Sequence, residues 1–156
     1  MAIEPRRQRH PVKAAFWDTS AIVPLCCFQP QSARARRTAR QYPRQVTWWV
    51  TAVEAVSAFN RLWREQALNA GGRQQALARL DYLRRRWNEV QPIEDVRSGA
   101  ERLLGVHRLR AADALQLSAA MVWCGGRPSS DRCFIAADGD LAAAAETEGF
   151  SVIRVV

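Results

Sequence analysis

Short apolar runs alternate with stretches of helical periodicity along this chain, and that alternation constrains the fold more than any other feature. Ala14–Trp17, Gln45–Val50, Glu89–Ile93, Cys133–Ala137 and Ser151–Val156 have the length and composition of strands. Helical spacing runs over Ala21–Phe28, the arginine-studded Ser32–Gln41, Thr51 to about Asn69, Arg73–Asn88, Asp95–His107, Ala111–Trp123 and the alanine-rich Gly139–Glu148. Pro30, Pro43, Gly71-Gly72, Leu109-Arg110 and the loop Gly125–Pro128 mark the breaks. The two middle helices form a hairpin, with Val53, Val56, Phe59, Leu62 and Trp63 at helical spacing on one and Leu77, Leu80, Leu83 and Trp87 on one stripe of the other. Strands alternating with helices specify a parallel sheet covered on both faces, an α/β fold. No repeat or linker divides the chain, so residues 14–156 read as one domain behind a basic tail, Met1–Lys13.

With 156 residues, 48% hydrophobic and 24% charged, the chain is long enough to bury its own core. No apolar run approaches the roughly 18–20 residues that a membrane helix needs. The tail MAIEPRRQRHPVK has no apolar centre and does not read as a secretory signal. Cys26, Cys27, Cys124 and Cys133 make no C-x-x-C pair, which argues against a zinc site and for reduced thiols in a cytoplasmic protein. Net charge is +8, and Lys13 is the only lysine among 23 basic residues. Arginine forks pair with phosphate oxygens, so a polyanion is one partner that suits this charge. Arginine-rich codon usage and solvated helix faces account for it equally well.

In an open parallel sheet, ligands sit at the carboxyl ends of the strands. Acids stand at those junctions here. Asp18 follows the first strand, Glu54 the second, Asp138 and Asp140 the fourth, and Asp113 lies in the first turn of the helix after Leu109-Arg110. Each also has a local explanation. Asp18 and Asp138 suit helix N-caps, and Thr51-x-x-Glu54 is written as a capping box. Asp113 fits such a role least, because RAADALQLSAAM is otherwise largely apolar and a lone acid there is costly. Together, carboxylates from separate segments that converge on one sheet edge make an all-oxygen site of the kind Mg²⁺ and Mn²⁺ prefer. Such ions polarise a phosphoryl group and activate a water. His10 in the tail and His107 near a helix end do not look catalytic. Of the adjacent Trp48 and Trp49, at least one is expected in the core.

At these segments the chain resembles the PIN-domain family, specifically the VapC-type toxins of bacterial toxin–antitoxin pairs. FWDTSAIVPL is similar to the family's opening strand and turn, VTAVEAVSAFNRL to its second motif, LRAADALQLSAAM to its third and FIAADGDLAAAAETEGF to its fourth. The resemblance runs from Ala14 to Val156, and DTSA and LRAADALQL carry it most specifically. It implies a three-layer α/β/α sandwich around a parallel five-stranded sheet, and a metal-dependent endoribonuclease that hydrolyses RNA with Mg²⁺ or Mn²⁺. It also implies an antitoxin protein as partner, and a homodimer. Carried over by position, Asp18, Glu54, Asp113 and Asp138 are the catalytic, metal-binding quartet, and Ser20 supplies a hydroxyl near the first aspartate. Two departures concern the fourth motif. Ala136 replaces a small hydroxyl residue, and Asp140 adds another candidate metal ligand where many relatives carry a neutral or basic residue.

Two other readings use the same residues. A PIN-like module with weak catalysis would bind RNA or a partner; the intact quartet argues against it. An aspartyl-phosphate phosphatase also sets an aspartate after its first strand, but it needs a second acid two residues on, where this chain has Ser20.

Overall fold

The computed structural model describes residues 11–156, so the basic tail expected over 1–13 and its His10 lie almost wholly outside the described residues. Five strands, β1 (Ala14–Trp17), β2 (Arg44–Trp48), β3 (Asn88–Val90), β4 (Cys133–Ala136) and β5 (Ser151–Arg154), form an all-parallel sheet in the order β3-β2-β1-β4-β5. Helices α1 (Thr19–Cys26), α2 (Ser32–Gln41), α3 (Thr51–Arg64) and α4 (Ala70–Arg84) cover one face. Helices α5 (Glu94–Val106), α6 (Ala111–Trp123) and α7 (Gly139–Glu148) cover the other. The fold is a PIN-like three-layer sandwich.

Strand alternation divides the core. Ala15, Trp17, Cys133 and Ile135 pack under α1 to α4, whereas Phe16, Val46, Trp48 and Phe134 pack under α5 to α7. β1 and β4 are buried on both sides, as central parallel strands are, and Phe16 stacks on Phe134 with ring centres 5.4 Å apart. The chain builds outward from β1 through β2 to β3, then crosses to the far side of β1 for β4 and β5. The topological switch point therefore lies between β1 and β4, and their carboxyl ends flank a crevice.

Several local expectations change. The glycines at Gly71-Gly72 do not break the hairpin; they lie in the first turn of α4, where the Asn69 side chain caps by accepting from the Gly72 N–H at 2.7 Å. The break falls earlier, after Arg64, and Gln66 takes a left-handed φ of 60° there. The sheet-facing side of α3 is made of small residues, Thr51, Ala52 and Ala55, with Phe59. Val53 and Trp63, expected on the apolar stripe, are 67% and 43% exposed. β3 runs over Asn88–Val90 rather than Glu89–Ile93, and α1 opens at Thr19 because Asp18 caps it there. Trp48 is the core member of its pair, and Trp49 is half exposed.

Candidate active site

Asp18 closes β1 and caps α1. Its carboxylate accepts from the Ser20 N–H at 3.0 Å and from the Ser20 hydroxyl. Ser20 Oγ in turn accepts from the Ala137 N–H at 2.9 Å and the Asp138 N–H at 3.3 Å. The Asp18 N–H donates to Ile135 O at 2.9 Å. Ser20 thus pins the exits of β1 and β4 together, and with them the backbones of Asp18 and Asp138. Asp138 caps α7 through the Leu141 N–H at 2.8 Å. The local explanation by capping is correct for both aspartates.

It is not correct for Glu54. Val50, with no side-chain cap, precedes α3, and the Thr51 hydroxyl faces inward, accepting from the Trp48 N–H at 3.2 Å. The Glu54 carboxylate accepts instead from Gln116 Nε2 at 2.9 Å. The capping box written in the sequence does not form, because helix α3 begins one residue too early for Thr51 to be the cap.

Glu54, Asp113, Asp138 and Asp140 line a common cleft of about 810 Å³, together with His107, Arg108, Leu109 and Arg110. Asp18 is 4% exposed and does not line the cleft, but its charge is felt by Glu54 and it feels that of Asp113. Burial, joined by the charge of Asp113, pushes the Asp18 carboxyl up to about 6 against the hydrogen bonds from Ser20. Burial, with the charges of Asp18 and Asp113, pushes Glu54 up to about 7 although Gln116 donates to it. Asp113 is raised by burial and by Asp138 and Asp140, with Arg110 opposing. Acids from four separate segments therefore feel one another at one end of the sheet.

Among the described residues, no three His, Cys, Asp or Glu side chains stand close enough to hold an ion as placed. The donor chemistry nevertheless fits a hard divalent cation. The carboxylates supply oxygen, and their mutual repulsion is met by Arg110 alone among the causes that set Asp113. Sequence reasoning did not find Gln116, hidden in an apolar run, nor the role of His107. The latter ends α5 and pairs with Glu148 at 2.7 Å, where Arg102 joins it at 3.0 Å. The spacing of Gln116 three residues after Asp113, on the same helical face, was the available signal.

No protein-family model matches the sequence, and no curated protein matches it. Solved structures do. Mycobacterium tuberculosis VapC20, a Sarcin-Ricin loop cleaving toxin, superposes with a TM-score of 0.65 at 23% identity, over 90% of this chain and 99% of that one. VapBC-5 of the same organism, from the VapBC family of toxin-antitoxin systems, gives 0.57 at 22% over 90% and 98%. A toxin-antitoxin complex from Klebsiella pneumoniae gives 0.59 at 16% over 92% and 98%. The class that these likenesses define is the PIN-like α/β fold. Within it, these three structural neighbours are a VapC toxin, a member of the VapBC family of toxin–antitoxin systems and a toxin–antitoxin complex.

Proposed function

We propose that the chain is a metal-dependent endoribonuclease, the toxin of a toxin–antitoxin pair. The observation that carries this reading is the cleft at the switch point lined by Glu54, Asp113 and Asp138, with buried Asp18 coupled to Glu54 and Asp113; Asp18, Glu54 and Asp113 have raised proton affinities and little compensating charge. Asp18, Glu54, Asp113 and Asp138 would hold Mg²⁺ or Mn²⁺, with Asp140 as a further oxygen donor. A bound ion of this type supplies charge neutralisation at a phosphoryl group and a more acidic water. The chain's own residues do the rest. Ser20 fixes Asp18 against the β4 exit, Arg108 and Arg110 at the cleft lip attract a phosphate backbone, and the buried floor keeps bulk water from screening the acids.

The RNA substrate, an antitoxin, a homodimer and a cytoplasmic setting all belong to this proposal. Exposed apolar residues on the α3–α4 hairpin, Val53, Trp63 and Tyr82, with Trp49 in the turn before it, suit an antitoxin helix laid near the acids. Among the described residues, no helix is long and apolar enough to cross a membrane. The test is cleavage of RNA by the purified chain with Mg²⁺ or Mn²⁺, expected to stop in EDTA. A second reading, an RNA- or partner-binding module of weak activity, draws on the spacing of the acids as placed. Binding of RNA without cleavage in either metal would favour it.

A further inference from the structure

Gln116 lies on α6 one turn beyond Asp113 and is wholly shielded from solvent. Besides Glu54 Oε1, its Nε2 stands 2.8 Å from Thr19 Oγ1 and 3.2 Å from Thr51 Oγ1. Thr19 and Thr51 are the first residues of α1 and α3. One amide therefore joins the opening turns of the three helices that present Asp18, Glu54 and Asp113. Its nitrogen has two hydrogens for three acceptors. Its oxygen is buried with no partner among the described residues, a costly arrangement on a helix whose other buried residues, Ser118 apart, are Ala114, Leu117, Ala119 and Ala120. An apolar residue would fill the same place without an unpaired carbonyl.

We propose that Gln116 is a positioning residue that holds the Glu54 carboxylate by Oε1 in the orientation in which the acid cluster binds a divalent cation. Glu54 sits on a long, rotatable side chain at the cleft wall, and without the amide it is free to turn into solvent. The inference rests on reading the cleft as a metal-dependent nuclease site. Removing a group that orients a metal ligand typically costs about 10- to 100-fold in metal affinity.

The experiment uses the full chain with Gln116→Leu and Gln116→Met, read by calorimetric titration with Mn²⁺ and by RNA-cleavage kinetics. The Mn²⁺ dissociation constant should rise about 10- to 100-fold, with kcat lowered and KM for RNA unchanged. The melting temperature in EDTA should not fall, since an unpaired buried carbonyl is removed. In a Glu54→Gln background, Gln116→Leu should weaken Mn²⁺ no further, as expected if the amide acts through Glu54. Wild-type Mn²⁺ affinity in either folded variant, or an additive loss in the double variant, overturns the positioning role while leaving the nuclease reading intact. Failure of both variants to fold makes Gln116 structural and overturns it too. A wild-type chain that neither binds Mn²⁺ nor cuts RNA overturns the nuclease reading and this inference with it.

Discussion

Glu54 and Glu148 are both shielded glutamates that accept a short hydrogen bond, and the fold treats them in opposite ways. Burial pushes Glu148 up, but hydrogen bonds from Arg102 and His107 outweigh it and leave the carboxyl below its ordinary value. It ties the end of α5 to the end of α7, with the Arg102 guanidinium and the His107 ring both set against one acid. Glu54 receives only a neutral amide, and burial together with Asp18 and Asp113 leaves it near 7. The chain has 23 basic residues to place, so arginine is not scarce. An acid that serves the structure is matched by a cation; the switch-point acids are left largely unmatched, which is the arrangement a site that recruits its own cation requires.

Neutralising a member of each group should break that symmetry most visibly in activity. Asp18→Asn and Asp113→Asn are expected to lower RNA cleavage at least about a hundredfold, beyond what loss of a ligand-supporting residue costs. Glu148→Gln should cut at close to the wild-type rate. Initial rates on one RNA under saturating Mn²⁺ decide it, and full activity in either aspartate variant removes these residues from the site.

The pH dependence of the metal-free fold comes next in size. For Asp18, with its proton affinity raised from 3.8 to about 6, the folded state binds the proton more tightly than the unfolded chain does. Stability from this group is full below about 4 and is lost as pH rises through about 6, worth up to about 3 kcal/mol for a shift of this size in a buried group. Glu54 acts in the same direction up to about 7. Glu148, shifted downward, loses its contribution only as pH falls through its lowered value. Between pH 5 and 8 in EDTA the melting temperature should therefore drop, and Asp18→Asn should flatten the slope. A slope unchanged in that variant would place the titration elsewhere.

Added Mn²⁺ should reverse the penalty. Ligand linkage gives wild type about 2.7 kcal/mol at a free concentration 100 times the dissociation constant, and Asp18→Asn and Asp113→Asn much less. Equal shifts in all three proteins would mean that the ion binds outside the cleft. Glu148→Ala, by contrast, is expected to destabilise by on the order of 1–2 kcal/mol in EDTA and Mn²⁺ alike, through lost hydrogen bonds to charged partners. A Mn²⁺ response altered by that substitution would end the contrast between the two groups.

The contrast was only half legible in the sequence. Asp18, Glu54, Asp113 and Asp138 could be picked out because a parallel sheet presents whatever follows its strands, and the strands themselves are short apolar runs. The pairing that distinguishes Glu148 joins residues 41 and 46 positions apart. It depends on how α5 and α7 end beside one another, which no local pattern encodes. The capping box written at Thr51 and Glu54 fails for a related reason: it is a local rule, and tertiary contacts with Trp48 and Gln116 take the Thr51 hydroxyl first. Gly71-Gly72 shows the same competition, with an Asn69 cap absorbing two helix-weakening residues into a first turn.

Asp138 tests the distinction at its finest, because it does a structural job and is also offered as a ligand. Its Oδ1 caps α7 at the Leu141 N–H, a bond that an asparagine oxygen can replace. Asp138→Asn loses the attraction between a carboxylate and the helix N-terminus, about 0.3–1 kcal/mol. It also relieves the repulsion that raises Asp113, so the two changes oppose and the melting temperature in EDTA should stay near wild type. Asp138→Ala loses the cap as well and should melt lower by about 1 kcal/mol. If Asp138 also binds metal, the asparagine variant keeps its stability yet loses most of the Mn²⁺ shift. If it only caps, that variant keeps the shift in full, and the fourth carboxylate of the site must then be Asp140, which Asp140→Asn would reveal by the same pair of melts.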